Sequence, residues 1–264
     1  MEKISINIKS ASLKDIGLKN NPGKLFEIEK RALTVEETYQ RQSSESDVGK
    51  IAANWFWPAL GTIVVSHRKG QYYVVDGQHR VLAANMREDV EMLPCIVHEG
   101  MSVEEEAAMF YLLNNNRKNP TTIEKFKAIL AAKDENAMYV SAELAKRGFS
   151  VAKSGANTTN CIQAMMISAK KNKKRFTRAL NLCADICHGQ SIPKMLFSGL
   201  DFVDSKREID KDFSDRLMDV GFKDIAKAIR HAVFYENSWH PRSCAKGIVT
   251  AANNGNKSKI EIAL

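Results

Sequence analysis

Tyr72-Tyr73-Val74-Val75-Asp76-Gly77-Gln78-His79-Arg80-Val81-Leu82-Ala83-Ala84 is an apolar, β-rich run that stops at an Asp-Gly pair and passes at once into a helix-favouring run. A strand, a glycine turn and a helix start make the arrangement that aims backbone N–H groups at an anion. Here the turn also carries an amide, an imidazole and a guanidinium in three consecutive positions, Gln78, His79 and Arg80. A purely structural strand-to-helix turn needs the glycine but not that trio. The stretch therefore predicts a phosphate or nucleotide site, against the plainer alternative of a satisfied structural turn.

Upstream, Thr62–Ser66 reads as a strand, His67-Arg68-Lys69-Gly70 as a hairpin turn and Tyr72–Val75 as the returning strand. Further back, Ile4–Ile8 alternates apolar and polar residues, Gly17–Gly23 marks a loop, and Thr34–Gln42 forms an extended connection ending in Tyr39-Gln40-Arg41. Ser46–Trp57 suggests a helix stopped by Pro58. Downstream, the turn opens a helix to about Asn85, and Leu93–Val97 is a short buried strand. Ser102-x-x-Glu105 is a capping box for a helix to about Asn114, and Thr121 or Thr122 caps another through Ala132. Beyond that, Ala137–Arg147, Thr159–Lys171, Phe176–Cys187, Ile192–Val203, Phe213–Val220, Lys223–Tyr235 and Pro241–Ala252 all carry helical periodicity. The expected fold class is α+β: a mixed sheet with helices over residues 1–130, then an all-α region over 131–264.

The 264 residues, 44% hydrophobic, can bury a sizeable core, and no apolar run approaches the ~20 residues of a membrane span. Five scattered cysteines and an N-terminus without a long apolar core fit a reduced, cytoplasmic protein. Cys183-x-x-x-Cys187-His188 puts two thiols on one helical face, but no second pair completes a metal site, so core cysteines are expected. Charge is unevenly divided. Residues 1–130 hold 17 basic and 17 acidic side chains, whereas 131–264 hold 22 and 14, so the whole excess of +8 lies in the second half. Six cations fall within nine residues there: Lys170, Lys171, Lys173, Lys174, Arg175 and Arg178. Such a cluster attracts polyanions, nucleic acid above all, unless it is only the solvated end of a helix.

The succession Tyr39-Gln40-Arg41, Leu60–Val65 and Tyr72–Ala84 resembles the N-terminal domain of ParB-type partition proteins. Gly77, Arg80, Ala83 and Ala84 match that family's Gly-Glu-Arg-Arg-x-Arg-Ala-Ala box, with Gln78 and His79 standing in place of Glu and Arg. A second box follows at the expected distance: Leu113-Asn114-Asn115-Asn116-Arg117, then Ile123-Glu124. Asn114 and Arg117 match, Asn116 replaces a Gln, and Leu113 stands where the family has a carboxylate. The Asp-Gly-Gln-His-Arg string is closer still to the DGQHR-domain branch, which includes ParB-like proteins of phages, mobile elements and DNA-modification systems. Sulfiredoxins share the fold but carry a cysteine where this chain has Gln78, so sulfiredoxin chemistry is rejected. The resemblance covers roughly residues 30–130.

The resemblance implies CTP or ATP, with Mg²⁺, on the turn. Gly77 would let backbone approach phosphate, Arg80 would grip it, and His79 and Gln78 would add contacts. Gln40 and Arg41 would close one side of the pocket, and Asn114, Asn116, Arg117 and Lys118 the other. Leucine at 113 cannot bind a metal or accept a proton, so binding is implied more readily than hydrolysis. DNA, a nucleotide and a second copy of the chain are the implied partners, with no membrane. The leading expectation is a DNA-binding ParB-like protein whose basic helical half contacts nucleic acid or a partner. The alternatives are a nuclease or NTPase using Asp76 and His79 on the same turn, and a phage or defence-system interaction protein with an inert pocket.

Overall fold

Val74 and Val75 are both fully buried, which tells that the strand carrying them is covered on both faces. The computed structural model describes residue 18 and residues 21–36, 38–40, 42–115 and 119–263. The expected strand Ile4–Ile8 and the candidate residues Arg41, Asn116, Arg117 and Lys118 lie outside the described residues. Two units divide the chain, Met1–Lys118 and Asn119–Leu264.

In the first unit the elements run β1 (Lys24–Glu29), β2 (Leu33–Val35), α1 (Glu45–Ala53), α2 (Trp57–Leu60), β3 (Ile63–Arg68), β4 (Gln71–Asp76), α3 (Gln78–Asn85), β5 (Met92–Glu99) and α4 (Val103–Asn115). Five strands form one mixed sheet in the order β1-β5-β3-β4-β2. β3 and β4 make an antiparallel hairpin in which Arg68 faces Gln71. Lys69 and Gly70 both adopt positive φ, the two-residue turn whose twist suits paired strands. β5 alternates cleanly, with Leu93, Cys95 and Val97 inward. Helix α3 lies between two apolar layers. Its Val81 and Ala84 join Ile63, Val65 and Val74 of the sheet, and its Ala83 packs with Val48 and Ala52 of α1. Pro58 does not stop the preceding helix as expected: α1 ends at Ala53, and Pro58 sits in the first turn of α2, where its missing N–H costs nothing.

A buried ion network joins α4 to the sheet and to the segment before α1. Glu106, fully buried, accepts from Arg68 Nε at 2.7 Å, and Arg68 Nη2 reaches Glu36 at 2.8 Å. The Arg68 guanidinium also lies 3.6 Å from the centre of the Tyr73 ring. Tyr39 donates toward Glu106 at 3.3 Å, and burial together with that carboxylate pushes its phenol well above the usual range. The residue next to it, Gln40, is thereby held against β4.

The second unit is predominantly helical: α5 (Thr122–Ala131), α6 (Glu135–Lys146), α7 (Ile162–Lys171), α8 (Lys173–Ile186), α9 (Lys194–Lys206), α10 (Lys211–Val220), α11 (Phe222–Tyr235) and α12 (Pro241–Asn253). Two short parallel strands, β6 (Ser150–Val151) and β7 (Thr158–Thr159), interrupt what the sequence suggests is purely helical. The β-branched Thr159 is extended there, its hydroxyl accepting from the Cys161 backbone at 3.2 Å, so α7 begins at Ile162 and not at Thr159. Phe176, Phe197, Leu180, Leu200 and Leu217 fill the core. Glycines let its helices touch: a Cβ on Gly247 of α12 would lie 2.5 Å from Ile229 Cα of α11. All five cysteines are free and buried. Asn172 separates α7 from α8 by a single residue, its side chain accepting from Arg175 N at 3.0 Å.

Candidate functional site

At the end of β4 the chain turns through Gly77, which adopts φ 108° and caps α3 without a side chain. A Cβ there would sit 2.7 Å from Ile63 Cδ1 and 2.9 Å from Arg80 Nη2. The glycine is thus required by inward packing as well as by its φ angle. Arg80 is the reason. Its Nη1 donates to the carbonyls of Leu60 at 2.7 Å and Thr62 at 2.9 Å, and its Nη2 donates to Asp76 at 3.0 Å. This guanidinium latches the turn onto the loop before β3. Asp76, read from sequence as a helix cap or a catalytic group, accepts from Arg80 Nη2 and also lines the cavity beside the turn.

Around this turn lies a cavity of about 510 Å³. Gln40, Asp76, Gly77, Gln78, His79, Arg80 and Asn114 all line it, drawn from three segments far apart in the sequence. Ile51, Leu60 and Phe110 form its apolar wall. The polar members differ in how committed they are. Gln40 spends its amide on the carbonyls of Val74 at 2.9 Å and Val75 at 3.1 Å. Asn114 donates back to Phe110 O at 2.8 Å within α4. Gln78 and His79 are half-buried, in the first turn of α3, where helix N–H groups lack intrahelical acceptors. On the turn these two side chains line the cavity beside the first N–H groups of α3, and Arg80 braces the turn behind them.

Asp47 also lines the cavity, and sequence reasoning missed it. Its carboxyl is held below the usual range by a hydrogen bond and charge from Lys50, with further contributions from the Ser44 cap and from His79. The spacing Ser44-x-x-Asp47 signals a helix start, and only the fold brings that start opposite His79. Two carboxylates, Asp47 and Asp76, thus face the cavity. Among the described residues no three His, Cys, Asp or Glu side chains converge as a metal site would require.

In the second unit the six cations spread over the α7–α8 junction. Lys170, Lys171, Lys173 and Lys174 are exposed. Arg178 instead holds the buried carboxylate of Asp204 with both ends of its fork, at 3.0 and 2.8 Å. Arg175 gives its Nε to Asp201 at 2.9 Å. The exposed charge is that of the four lysines, while the two arginines tie α8 to α9.

Residues 34–204 match the family of unknown function DUF6551, a span that includes the cavity and the lysines. The chain belongs to that family. No curated protein matches this DUF6551 chain. Among solved structures, the C-terminally truncated chromosome-partitioning protein ParB from Caulobacter crescentus, complexed with CTP-gamma-S, is similar at 14% identity. The likeness covers 60% of the DUF6551 chain and 93% of that one, with a TM-score of 0.39. Among the described residues no helix is long and apolar enough to cross a membrane.

Proposed function

We propose that the first unit has a ParB-like fold and binds the phosphates of a nucleotide at the β4–α3 turn, and that the lysines of the second unit contact nucleic acid. The observation carrying the first half is the convergence of Gln40, the Asp76–Arg80 turn and Asn114 on one cavity, with Gln78 and His79 at the start of a helix. An uncapped helix start, amide and imidazole donors and a nearby apolar wall suit a phosphorylated base. CTP and ATP are the ligands to try first. Mg²⁺ would arrive with the phosphates, because it binds through one or two carboxylates plus phosphate oxygens and the cavity offers Asp47 for that. DNA is the proposed second partner, with self-association of the chain expected from the sequence resemblance.

Calorimetric titration with CTP, ATP and GTP tests the reading. His79→Ala and Gln78→Ala are expected to weaken binding by about tenfold, roughly the loss of one charge-assisted hydrogen bond, with Tm unchanged. A nucleotide bound equally well by both variants would place recognition away from this turn. Absence of any nucleotide binding would leave the interaction-protein reading, with an inert pocket.

One arrangement favours a second, enzymatic reading. Asp47 and His79 line the same cavity, and a carboxylate and an imidazole sharing a pocket can divide proton transfer to a phosphate ester between them. Turnover of CTP, ATP or plasmid DNA that disappears in Asp47→Asn and His79→Ala would establish it.

A further inference from the structure

The second unit contains a larger cavity, of about 780 Å³, within the range of about 300–1,000 Å³ typical of small-ligand sites. Lys171, Arg175 and Lys194 line it, against one carboxylate, Asp201. That carboxylate is already engaged: it accepts from Ser168 Oγ and from Arg175 Nε on the same oxygen. Arg175 is thereby fixed by one edge of its guanidinium while the other edge remains to face a ligand, the usual way a protein pre-orients an anion-binding arginine. No ion pair or side-chain hydrogen bond engages the ammonium of Lys171 or Lys194 among the described residues. The first turns of α8, α9 and α12, which contribute to the lining, contain no acidic residue, although a positive helix end favours one. The lining also has an aromatic and apolar part: Ile167, Phe202 and Trp239, the last 71% exposed.

We infer that this cavity seats a nucleotide unit of a single-stranded nucleic acid, with the base against Trp239 and Phe202 and the phosphate on Lys171, Arg175 and Lys194. Cations alone would suit inorganic phosphate, and the aromatic wall alone an apolar ligand. The combination suits a base joined to a phosphate. A strand is favoured over one free nucleotide because positive charge continues beyond the cavity lining on exposed Lys170, Lys173 and Lys174, and a polymer carries recurring charge to meet it. The inference rests on the nucleic-acid half of the function proposed above and narrows it to unpaired strands. It is independent of the cavity in the first unit.

Fluorescence anisotropy of a labelled oligothymidylate with the full chain tests this. Trp239→Ala and Arg175→Gln are each expected to weaken binding by about tenfold or more, the loss of one stacked base or one phosphate contact. Trp239→Ala should retain the wild-type Tm, and Phe56→Ala, an exposed aromatic truncated in the first unit, should bind as wild type does. Affinity for a duplex of equal length should be insensitive to Trp239→Ala, since paired bases cannot stack on it. Competition by thymidine monophosphate would identify the free nucleotide as a ligand of the cavity, and competition by the oligomer alone would identify the strand. Oligothymidylate binding untouched by Trp239→Ala, or displaced as readily by polyglutamate as by oligothymidylate, overturns the proposal. If oligothymidylate affinity falls only when Lys170, Lys173 and Lys174 are replaced, the surface strip stands and the cavity fails by itself.

Discussion

Arg80 touches the carbonyls of Leu60 and Thr62 and the carboxylate of Asp76, so its removal is a structural injury first and a binding injury second. Arg80→Ala is expected to cost about 3 kcal/mol, toward the low end for breaking a largely buried pair, and a denaturant melt checks it. His79→Ala, with no such contacts, should not move the melt. The motif was legible as a glycine turn bearing donors. The inward direction of its arginine was not, because two of the partners are backbone carbonyls that no side-chain pattern announces. The cysteines behave as sequence reasoning expected. Burial raises the thiol of Cys161 to about 11 and those of Cys95 and Cys187 to about 12. At pH 8 they should remain protonated and inert to a thiol reagent until denaturant is added. The sign follows from burial: native thiols bind their protons more tightly than unfolded ones, so this stabilising contribution is complete below about pH 8.5. It fades as the pH climbs through 11 to 12. Rapid labelling of the native protein at pH 8 would contradict it.

Among the elements, helices with one apolar face and a recognisable cap were readable almost to the residue. Thr121 and Glu124 form the reciprocal cap of α5, and Ser102 and Glu105 that of α4. β1 escaped notice because only Ile28 of its six residues is buried, which leaves no alternation to detect. β2 is three residues long and, among the described residues, pairs only with β4, so nothing local marks it. The closeness of α11 and α12 was equally hidden, since Gly247 looks like a weak point in a helix until a neighbour's backbone is seen against it. Gly247→Ala is expected to force the two helices apart and destabilise the protein by about 1–3 kcal/mol. A thermal melt indistinguishable from wild type would argue against that packing.

For the whole molecule, the uneven charge distribution was the clearest long-range message of the sequence: the excess lies after residue 130. What could not be read was how much of it is neutralised at home, as by the pairing of Arg178 with Asp204. Within the Lys170–Arg178 cluster, four exposed lysines remain to meet a polyanion. Duplex affinity should therefore fall with salt at a logarithmic slope of about −3 to −4, at roughly −0.9 per neutralised phosphate. Replacing Lys170, Lys171, Lys173 and Lys174 by alanine should flatten the slope, and an unchanged slope would move the contact elsewhere. The same comparison of engaged and available groups bears on the first unit. Because Arg80 faces inward, the corner it braces already has its final shape before a guest arrives. Capture there would need little rearrangement of the Asp76–Arg80 corner itself.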